Sequence, residues 1–382
     1  MTRTIRFRLN NVSPVPNLLR AEPTMDVPRD EIDINLGQLF LQYYFDSFPS
    51  GPPNPDPSRF EYLQLVSPAG DFRFHAFVGD SSTVKKRAIS TEIGQAFCRL
   101  LLHDHFGVRY FAHLGRLIQR PTHAGFGGMR INRTCKGDIP DYLCARKVSE
   151  PRIAEAKGRF SPIEFTTPEF GRWRDQFTRI RVEDGHGVPR SLKGYILATR
   201  FVTDANAATA RSTSYIEDPE SLGEALPDDQ APAIGRGIAA LHYARVLNKL
   251  GLLPLASALD LGYALTEVLT LQMPRWLCTS PPFERTEYIG GFYRTSAGAG
   301  PVLSEKGWTQ PLELGSGHLV FVGLNLATAV HVARAARGEW TALDGIAPAA
   351  PIGTWSSEFA WLFDGTVAAP AQYFIPTGLV AL

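Results

Sequence analysis

Residues 151–160, Pro151-Arg152-Ile153-Ala154-Glu155-Ala156-Lys157-Gly158-Arg159-Phe160, are interpreted as a β-strand. Side chains alternate between the two faces of a strand, so Glu155 and Lys157 share one face with Ile153. The opposite face carries small residues: Ala154, Ala156 and Gly158. The pattern therefore predicts a carboxylate and an ammonium group about 7 Å apart on one face. It also predicts a second face that a helix can approach closely.

A second carboxylate belongs to a strand predicted immediately upstream, Asp138-Ile139-Pro140-Asp141-Tyr142-Leu143-Cys144. The polar loop of residues 146–150 joins the two strands, so we expect Asp141 to contribute to the same site as Glu155. Two carboxylates beside one fixed cation are suited to hold a hard divalent metal ion and a phosphate group. The two strands therefore predict a metal-dependent site for a phosphate-containing substrate.

Pro140-Asp141 followed by Glu155-Ala156-Lys157 resembles the motif of the PD-(D/E)XK nuclease superfamily, which has the restriction-endonuclease-like fold. The resemblance covers roughly residues 84–202, less than a third of the chain. It implies an α/β (α+β) architecture in which a mixed central sheet is flanked by helices. It also implies that the protein is an enzyme that hydrolyses phosphodiester bonds with the help of a divalent metal ion.

The resemblance also assigns roles to individual residues. It implies that Mg²⁺ or Mn²⁺ is bound by Asp141, Glu155 and the backbone carbonyl of Ala156. Lys157 would lie beside the attacking water and the scissile phosphate, where its charge stabilises the transition state. No cysteine or histidine is required in such a ligand set, which fits the oxygen preference of Mg²⁺.

A helix is predicted over Ser90 to Leu101, with Ser90 or Thr91 as its N-cap. Glu92 would then lie in the first turn, where a carboxylate is favourable electrostatically. Members of the superfamily carry an additional acid on this helix, so the resemblance implies that Glu92 is a further catalytic and metal-binding residue. The alternative is that Glu92 only complements the helix dipole.

Thr167-Pro168-Glu169 predicts the start of a second helix, with Pro at its first position. Residues 194–202 then predict a strand, and the order helix, strand, strand, helix, strand resembles the core of the superfamily. Two accessory site residues are suggested. They are Gln176, on the second helix, and Arg159, at the end of the lysine-bearing strand. Gln176 fits a polar residue of the core equally well.

Charge is distributed unevenly along the chain. Residues 84–200 contain 22 Lys/Arg and 11 Asp/Glu, residues 1–83 contain 7 and 10, and residues 201–382 contain 10 and 17. A basic middle region favours a polyanionic substrate, because neutralising phosphates releases counterions. The expected partner is nucleic acid, with DNA favoured over RNA, and the expected activity is that of a DNA endonuclease in restriction, defence or toxin action. The alternative is a solvated surface whose charges pair with the acidic flanks.

The same residues are compatible with a protein that does not cut. Pro140-Asp141 could form a turn, and Glu155 and Lys157 could form an ion pair on a half-exposed strand. The chain would then be a catalytically inactive nucleic-acid-binding or scaffold protein. Other enzyme classes are not indicated, because the sequence lacks GxSxG, a Walker-type phosphate loop and paired Cys/His ligands.

Four divisions of the chain are predicted. They are an N-terminal α+β segment (1–83), the nuclease-like core (84–202), a linker (203–231) and a mixed helical and β C-terminal domain (232–382). Within the core, residues 105–136 are expected to form a long, mobile insertion. A cytoplasmic protein without a membrane partner is expected, since no apolar run reaches a bilayer span and the four cysteines show no regular spacing. The C-terminal half could bind a protein partner or form a homo-oligomer.

Overall fold

The computed structural model describes residues 2–47, 65–118, 123–183, 186–220, 231–265, 270–281, 283–295, 318–349 and 359–382, which form a mixed α/β protein. The helices of this part of the chain are α1 (Leu36–Ser47), α2 (Ala76–Gly79), α3 (Thr83–Phe106), α4 (Leu114–Ile118), α5 (Pro168–Phe177), α6 (Ala231–Lys249), α7 (Leu253–Leu261) and α8 (Leu326–Ala336). Its strands are β1 (Thr2–Asn10), β2 (Glu31–Asn35), β3 (Tyr110–His113), β4 (Arg130–Arg133), β5 (Tyr142–Ala145), β6 (Pro151–Arg159), β7 (Ile180–Glu183), β8 (Pro189–Arg190), β9 (Lys193–Arg200), β10 (Thr213–Glu217), β11 (Gln272–Cys278), β12 (Glu287–Thr295), β13 (His318–Asn325), β14 (Ala360–Trp361), β15 (Thr366–Pro370) and β16 (Phe374–Ala381).

The chain folds into two compact units, and each unit is assembled from separate segments. The first unit comprises Thr2–Ile34 and Gln64–Ile238. The second unit comprises Asn35–Leu63 and Ala239–Leu382, together with Met1. The ranges predicted as an N-terminal segment and a nuclease-like core thus both contribute to the first unit. The range predicted as a linker contains β10, which is a strand of that unit's main sheet.

The first unit is built on a mixed sheet, as the sequence predicted. Among the described residues it has seven strands in the order β2-β1-β10-β9-β6-β5-β3. Strands β3, β5 and β6 are antiparallel neighbours, β6 and β9 are parallel, and β10 is antiparallel to β9 but parallel to β1. The parallel step from β6 to β9 requires a crossover connection, which α5 supplies.

Helices cover both faces of this sheet. On one face, α3 crosses β6 so closely that a Cβ atom added to Gly158 would lie 1.7 Å from the carbonyl oxygen of Ser90. The strand can be approached in this way because the residues on this face are small, as their alternation predicted. On the other face, Phe170 and Trp173 of α5 pack against Ile196 in a buried cluster. Ile196 is the partner of Glu155 in the β6–β9 register, so α5 lies on the face that carries Glu155.

The first of these helices begins earlier than the sequence predicted. Ser82 is its N-cap, and its hydroxyl accepts a hydrogen bond from the backbone N–H of Lys85. The prediction that Ser90 or Thr91 caps the helix is therefore wrong, and Glu92 lies inside the helix rather than in its first turn. The sequence did not predict residues 83–88 as part of the helix, because they are mostly exposed and lack an apolar period.

Residues 105–136, predicted as a long insertion, contain secondary structure that the sequence did not indicate. They include β3, α4 and β4. Strand β3 is the edge of the main sheet, and β4 joins β7 and β8 in a separate three-stranded sheet. Both strands are only four residues long, which is too short for an alternating pattern to be distinctive.

The second unit contains helices together with an antiparallel sheet, in agreement with the mixed helical and β character predicted for the C-terminal part. Its described strands lie in the order β14-β15-β13-β12-β11-β16. The core beside this sheet is aromatic and includes Phe283, Tyr288, Phe321, Phe359, Trp361 and Phe374. None of the helices in the described part of the chain has the length and apolarity needed to cross a membrane.

Candidate active site

The two predicted carboxylates meet where β5 begins. Asp141 immediately precedes β5, and its Oδ2 atom accepts a hydrogen bond of 2.9 Å from the backbone N–H of Ala156 in β6. The backbone carbonyl of Asp141 in turn accepts a hydrogen bond of 2.9 Å from the N–H of Leu114, at the end of β3. Asp141 is thus held from both sides, and its carboxylate is fixed against the strand that carries Glu155.

Glu155 is fully buried, with an exposed fraction of 0%. Neither of its carboxylate oxygens has a well-directed hydrogen bond within the described part of the chain. Burial, reinforced by the adjacent Asp141 carboxylate, raises the pKa of Glu155 well above its ordinary value. A buried acid with this environment requires a positive charge to ionise at neutral pH.

Lys157 supplies one such charge. Its Nζ atom is in direct contact with Oε1 of Glu155 and lies 3.9 Å from Oδ2 of Asp141. Burial acts to lower the pKa of Lys157, but the charges of Glu155 and Asp141 outweigh burial and raise it. The lysine is therefore an ammonium group at neutral pH. Its side chain is 27% exposed, so the site opens to solvent at Lys157.

Glu92 is not brought to this group of residues. It belongs to α3, which packs on the face of β6 opposite to Glu155 and Lys157. On that helix, Ser90 and Gly94 contact Gly158. Glu92 is two positions from each of them, which turns its side chain away from the contact. The geometry leaves Glu92 outside the cluster formed by Asp141, Glu155 and Lys157.

The two accessory candidates lie on the same side of the sheet as Lys157. Arg159 points to α5, where its guanidinium is 3.6 Å from the carboxylate of Glu169 and 5.3 Å from the ring centre of Trp173. Gln176 is 3% exposed, and its Oε1 has no hydrogen-bond partner among the described residues. Arg159 thus interacts with α5, whereas the buried Oε1 atom of Gln176 accepts no hydrogen bond from the described residues.

The loop before Asp141 depends on a residue that the sequence did not single out. Nη1 of Arg179, beyond the end of α5, donates a hydrogen bond of 2.9 Å to the carbonyl of Asp138. Arg179 also packs against Gly137, whose φ of +125° favours glycine. No local motif marks Arg179, since its partners are about 40 residues away in the sequence.

The site offers oxygen donors for a metal ion. Within the described ranges, no group of three or more His, Cys, Asp or Glu side chains is arranged to hold a metal, so Asp141 and Glu155 are the two side-chain donors at this position. A backbone residue in a strand directs its N–H and C=O to the same neighbour, so the carbonyl of Ala156 faces the side of β6 where Asp141 lies. Mg²⁺ is commonly bound through one or two carboxylates while it retains several waters, and these donors fit that pattern.

Comparisons with protein-family models, with curated proteins and with solved structures found no match for this chain.

Proposed function

We propose that this protein is a divalent-metal-dependent nuclease that hydrolyses phosphodiester bonds in DNA, with a restriction-endonuclease-like core in its first unit. The observation that carries the proposal is the convergence of Asp141, Glu155 and Lys157 where the start of β5 lies beside the middle of β6. These two acids and the lysine are the residues whose order in the sequence resembles the PD-(D/E)XK motif.

The order of elements around the site supports the proposed core. Apart from α4 and the three strands of the small sheet, helix α3 is followed by β3, β5 and β6, then by α5 and β9. In the sheet, β3, β5, β6 and β9 are consecutive neighbours, with the last pair parallel. The structure thus adds a strand, β3, to the helix-strand-strand-helix-strand order read from the sequence. The acids lie on the two middle strands of this set.

Mg²⁺ or Mn²⁺ would be held by Asp141, Glu155 and the backbone carbonyl of Ala156. A bound divalent ion supplies a Lewis acid and lowers the pKa of a coordinated water. The buried Oε2 atom of Glu155 supports this assignment, because it has no hydrogen-bond partner within the described part of the chain and Lys157 contacts the other oxygen, Oε1.

Lys157 is suited to bind the phosphate rather than to remove a proton. Its acidic neighbours keep it protonated, so it can donate hydrogen bonds to a non-bridging phosphate oxygen and stabilise the charge that develops there. In the hydrolysis, the oxygen of water bonds to phosphorus and the bond to the 3′ oxygen breaks. The attacking water gives up a proton as this bond forms, and the leaving 3′ oxygen takes up a proton, so the two proton transfers balance.

The proposal is tested by incubating the full chain with supercoiled plasmid, single-stranded DNA and RNA, in Mg²⁺, Mn²⁺ or EDTA. Asp141→Asn and Lys157→Ala should each reduce metal-dependent cutting by about 100-fold or more, the scale of losing one transition-state charge contact. Asparagine at position 141 retains an oxygen that can accept the Ala156 N–H, so the variant should fold.

Matched controls are Asp175→Asn, on the exposed surface of α5, and Lys147→Ala, in the exposed β5–β6 loop. Both should cut like the wild type. Metal-independent cutting, or equal losses in the controls, would contradict the assigned site. Absence of cutting on every substrate, with unchanged DNA binding in all variants, would favour the alternative of a binding protein without catalysis.

A further inference from the structure

Several cations in the segment leading to Asp141 lack the carboxylate partners that arginines have elsewhere in the first unit. Arg73 pairs with Asp71 at 2.7 Å, and Arg174 pairs with Glu217 at 2.6 Å. Within the described ranges, no ion pair involves Arg130, Arg133 or Lys136. These three side chains are exposed and lie on β4 and the loop that follows it.

The chain holds this segment in place through its backbone. The N–H of Thr134 donates to the carbonyl of Arg179 at 2.9 Å, and the Thr134 hydroxyl donates to the carbonyl of Thr178 at 3.0 Å. The guanidinium of Arg133 donates to the carbonyl of Cys135 at 3.1 Å. A carbonyl partner positions a guanidinium without cancelling its charge, and among the described residues no ion pair offsets the charge of Arg133 or Arg179.

The three-stranded sheet of β4, β7 and β8 supports these side chains. Ile131 and Val182 are paired and buried, so one face of this sheet packs inward. Arg130 lies on the opposite face, across from Glu183 in the register, whereas Arg133 alternates to the face of Ile131 at the end of the strand. Since β4 is an edge strand of this sheet among the described residues, both arginines are exposed along the same edge.

The position of the segment relative to the site limits what it can bind. Lys136 is five residues from Asp141, so the two are at most about 18 Å apart. This distance equals the axial rise of about five phosphates in one strand of B-DNA. A strand whose scissile phosphate lies at Lys157 would therefore place neighbouring phosphates within reach of this segment.

We infer that Arg130, Arg133, Lys136 and Arg179 form a docking surface for the phosphodiester backbone of duplex DNA. We call these four residues the basic segment. The basic segment positions the DNA strand whose scissile phosphate lies at Lys157. This inference rests on the proposed function. Contacts of this kind carry no base specificity, so the basic segment contributes affinity and register along the backbone.

The test measures DNA binding without cleavage. Binding of a fluorescent 20-base-pair duplex to the full chain is followed by anisotropy in EDTA between 50 and 300 mM KCl. The variant combines Arg130→Gln, Arg133→Gln and Lys136→Gln, and leaves Arg179 in place because it supports the loop. Each phosphate contact contributes about 0.9 to the slope of log K against log salt concentration. The triple variant should therefore lower the magnitude of this slope by about 2 to 3 and weaken binding at least 10-fold at 100 mM KCl.

The control combines Lys85→Gln, Lys86→Gln and Arg87→Gln in the first turns of α3, which changes the net charge by the same amount. It should retain the wild-type slope. Equal slopes in the triple variant and the wild type, equal losses in the two triple variants, or a wild type that does not bind the duplex would overturn the inference. Slope changes seen with single-stranded RNA or heparin but not with the duplex would overturn the assignment to DNA.

These outcomes are separate from those of the cleavage test. A protein that cuts DNA but whose triple variant keeps the wild-type slope would retain the proposed function and lose only the docking surface. A protein that binds through the basic segment but never cuts would lose the proposed function alone.

Discussion

The proposed function and the stability of the fold make opposite demands on Glu155. A buried carboxyl beside Asp141 is costly to ionise, yet an ionised carboxylate is what a divalent cation requires. The direct contact of Lys157 with Glu155 offsets part of this cost. Two neighbouring carboxyl groups and one lysine thus leave an unfavourable electrostatic interaction at this position, which a cation bound as proposed would relieve.

The first prediction separates these two demands. Glu155→Gln should abolish metal-dependent cutting, because a neutral amide is a weak ligand for Mg²⁺. The metal-free variant should be as stable as the wild type or more stable, since the amide has no repulsion with Asp141. Plasmid cleavage and urea unfolding in EDTA measure the two effects, with Glu22→Gln, at an exposed position of the first unit, as the control. A large loss of stability in Glu155→Gln would show that the Glu155–Lys157 pair mainly supports the fold.

A second conflict at the residue scale lies in the second unit. Lys249 is 1% exposed, and its Nζ atom is 4.5 Å from the ring centre of Tyr44. Burial, together with the charge of Arg245, lowers the pKa of Lys249 from 10.5 to about 8. Below pH 8 the ammonium is charged in both the folded and the unfolded chain, and the folded state bears the cost of burying it. Between pH 8 and 10.5 the folded state releases the proton first, so this cost is relieved as pH rises.

Lys249→Met should therefore raise the free energy of unfolding at pH 7, by roughly 1–3 kcal/mol. The advantage of the variant over the wild type should shrink as pH rises from 8 to 10.5. Urea unfolding of both proteins at pH 7, 9 and 10.5 gives this difference and cancels the titration of other groups. A difference that is constant with pH would mean that Lys249 is equally charged in both states throughout this range.

At the scale of elements, the close crossing of α3 over β6 determines the position of the site strand. The crossing depends on Gly94 and Gly158, since a Cβ on Gly94 would lie 2.6 Å from the backbone nitrogen of Gly158. Backbone atoms on both sides of the contact leave no flexible side chain that could move away. An added methyl group must therefore push the helix and the strand apart.

Gly158→Ala should destabilise the protein by an amount at the upper end of the roughly 1–3 kcal/mol that overpacking costs. Gly171→Ala is the matched control, because its Cβ would meet no atom within 4 Å and alanine favours a helix by about 1 kcal/mol over glycine. Thermal unfolding should thus move in opposite directions for the two variants. A neutral Gly158→Ala would mean that α3 and β6 are not in backbone contact.

Local patterns in the sequence predicted the parts of the site that local geometry determines. The alternation along β6 correctly placed Glu155 with Lys157 and the small residues on the opposite face, because strand periodicity needs no tertiary information. The start of α3 and the strand β3 were missed, since their residues carry no distinctive apolar period. The hydrogen bond between Asp141 and Ala156, and the one between Arg179 and Asp138, join distant residues and have no local signature.

At the scale of the whole molecule, the main sheet of the first unit extends far beyond the range that resembles a nuclease. Strands β1, β2 and β10 lie outside residues 84–202. Strand β10 pairs with β9 on one side and with β1 on the other, so a fragment that stops at residue 202 would leave the edge of β9 open. Unpaired edges of this kind promote aggregation.

A fragment of residues 84–202 should therefore show no cooperative thermal transition, whereas the full chain should. Circular dichroism during heating and an aggregation assay measure the difference. The sequence could not foresee this dependence, because nothing in Thr2–Asn10 indicates a partner that lies about 200 residues later. A fragment that unfolds cooperatively and cuts DNA would instead identify residues 84–202 as an independent domain.

The interleaved course of the chain has a consequence for how the protein is made. Strand β1 is translated long before its parallel neighbour β10, which ends at residue 217. Helix α1 likewise emerges early and belongs to a unit whose remaining residues begin at Ala239. Since domains generally fold as their chain is completed, neither unit can close until residues beyond 217 have been translated. During that interval the apolar faces of β1 and α1 should lack the partners that cover them in the folded protein.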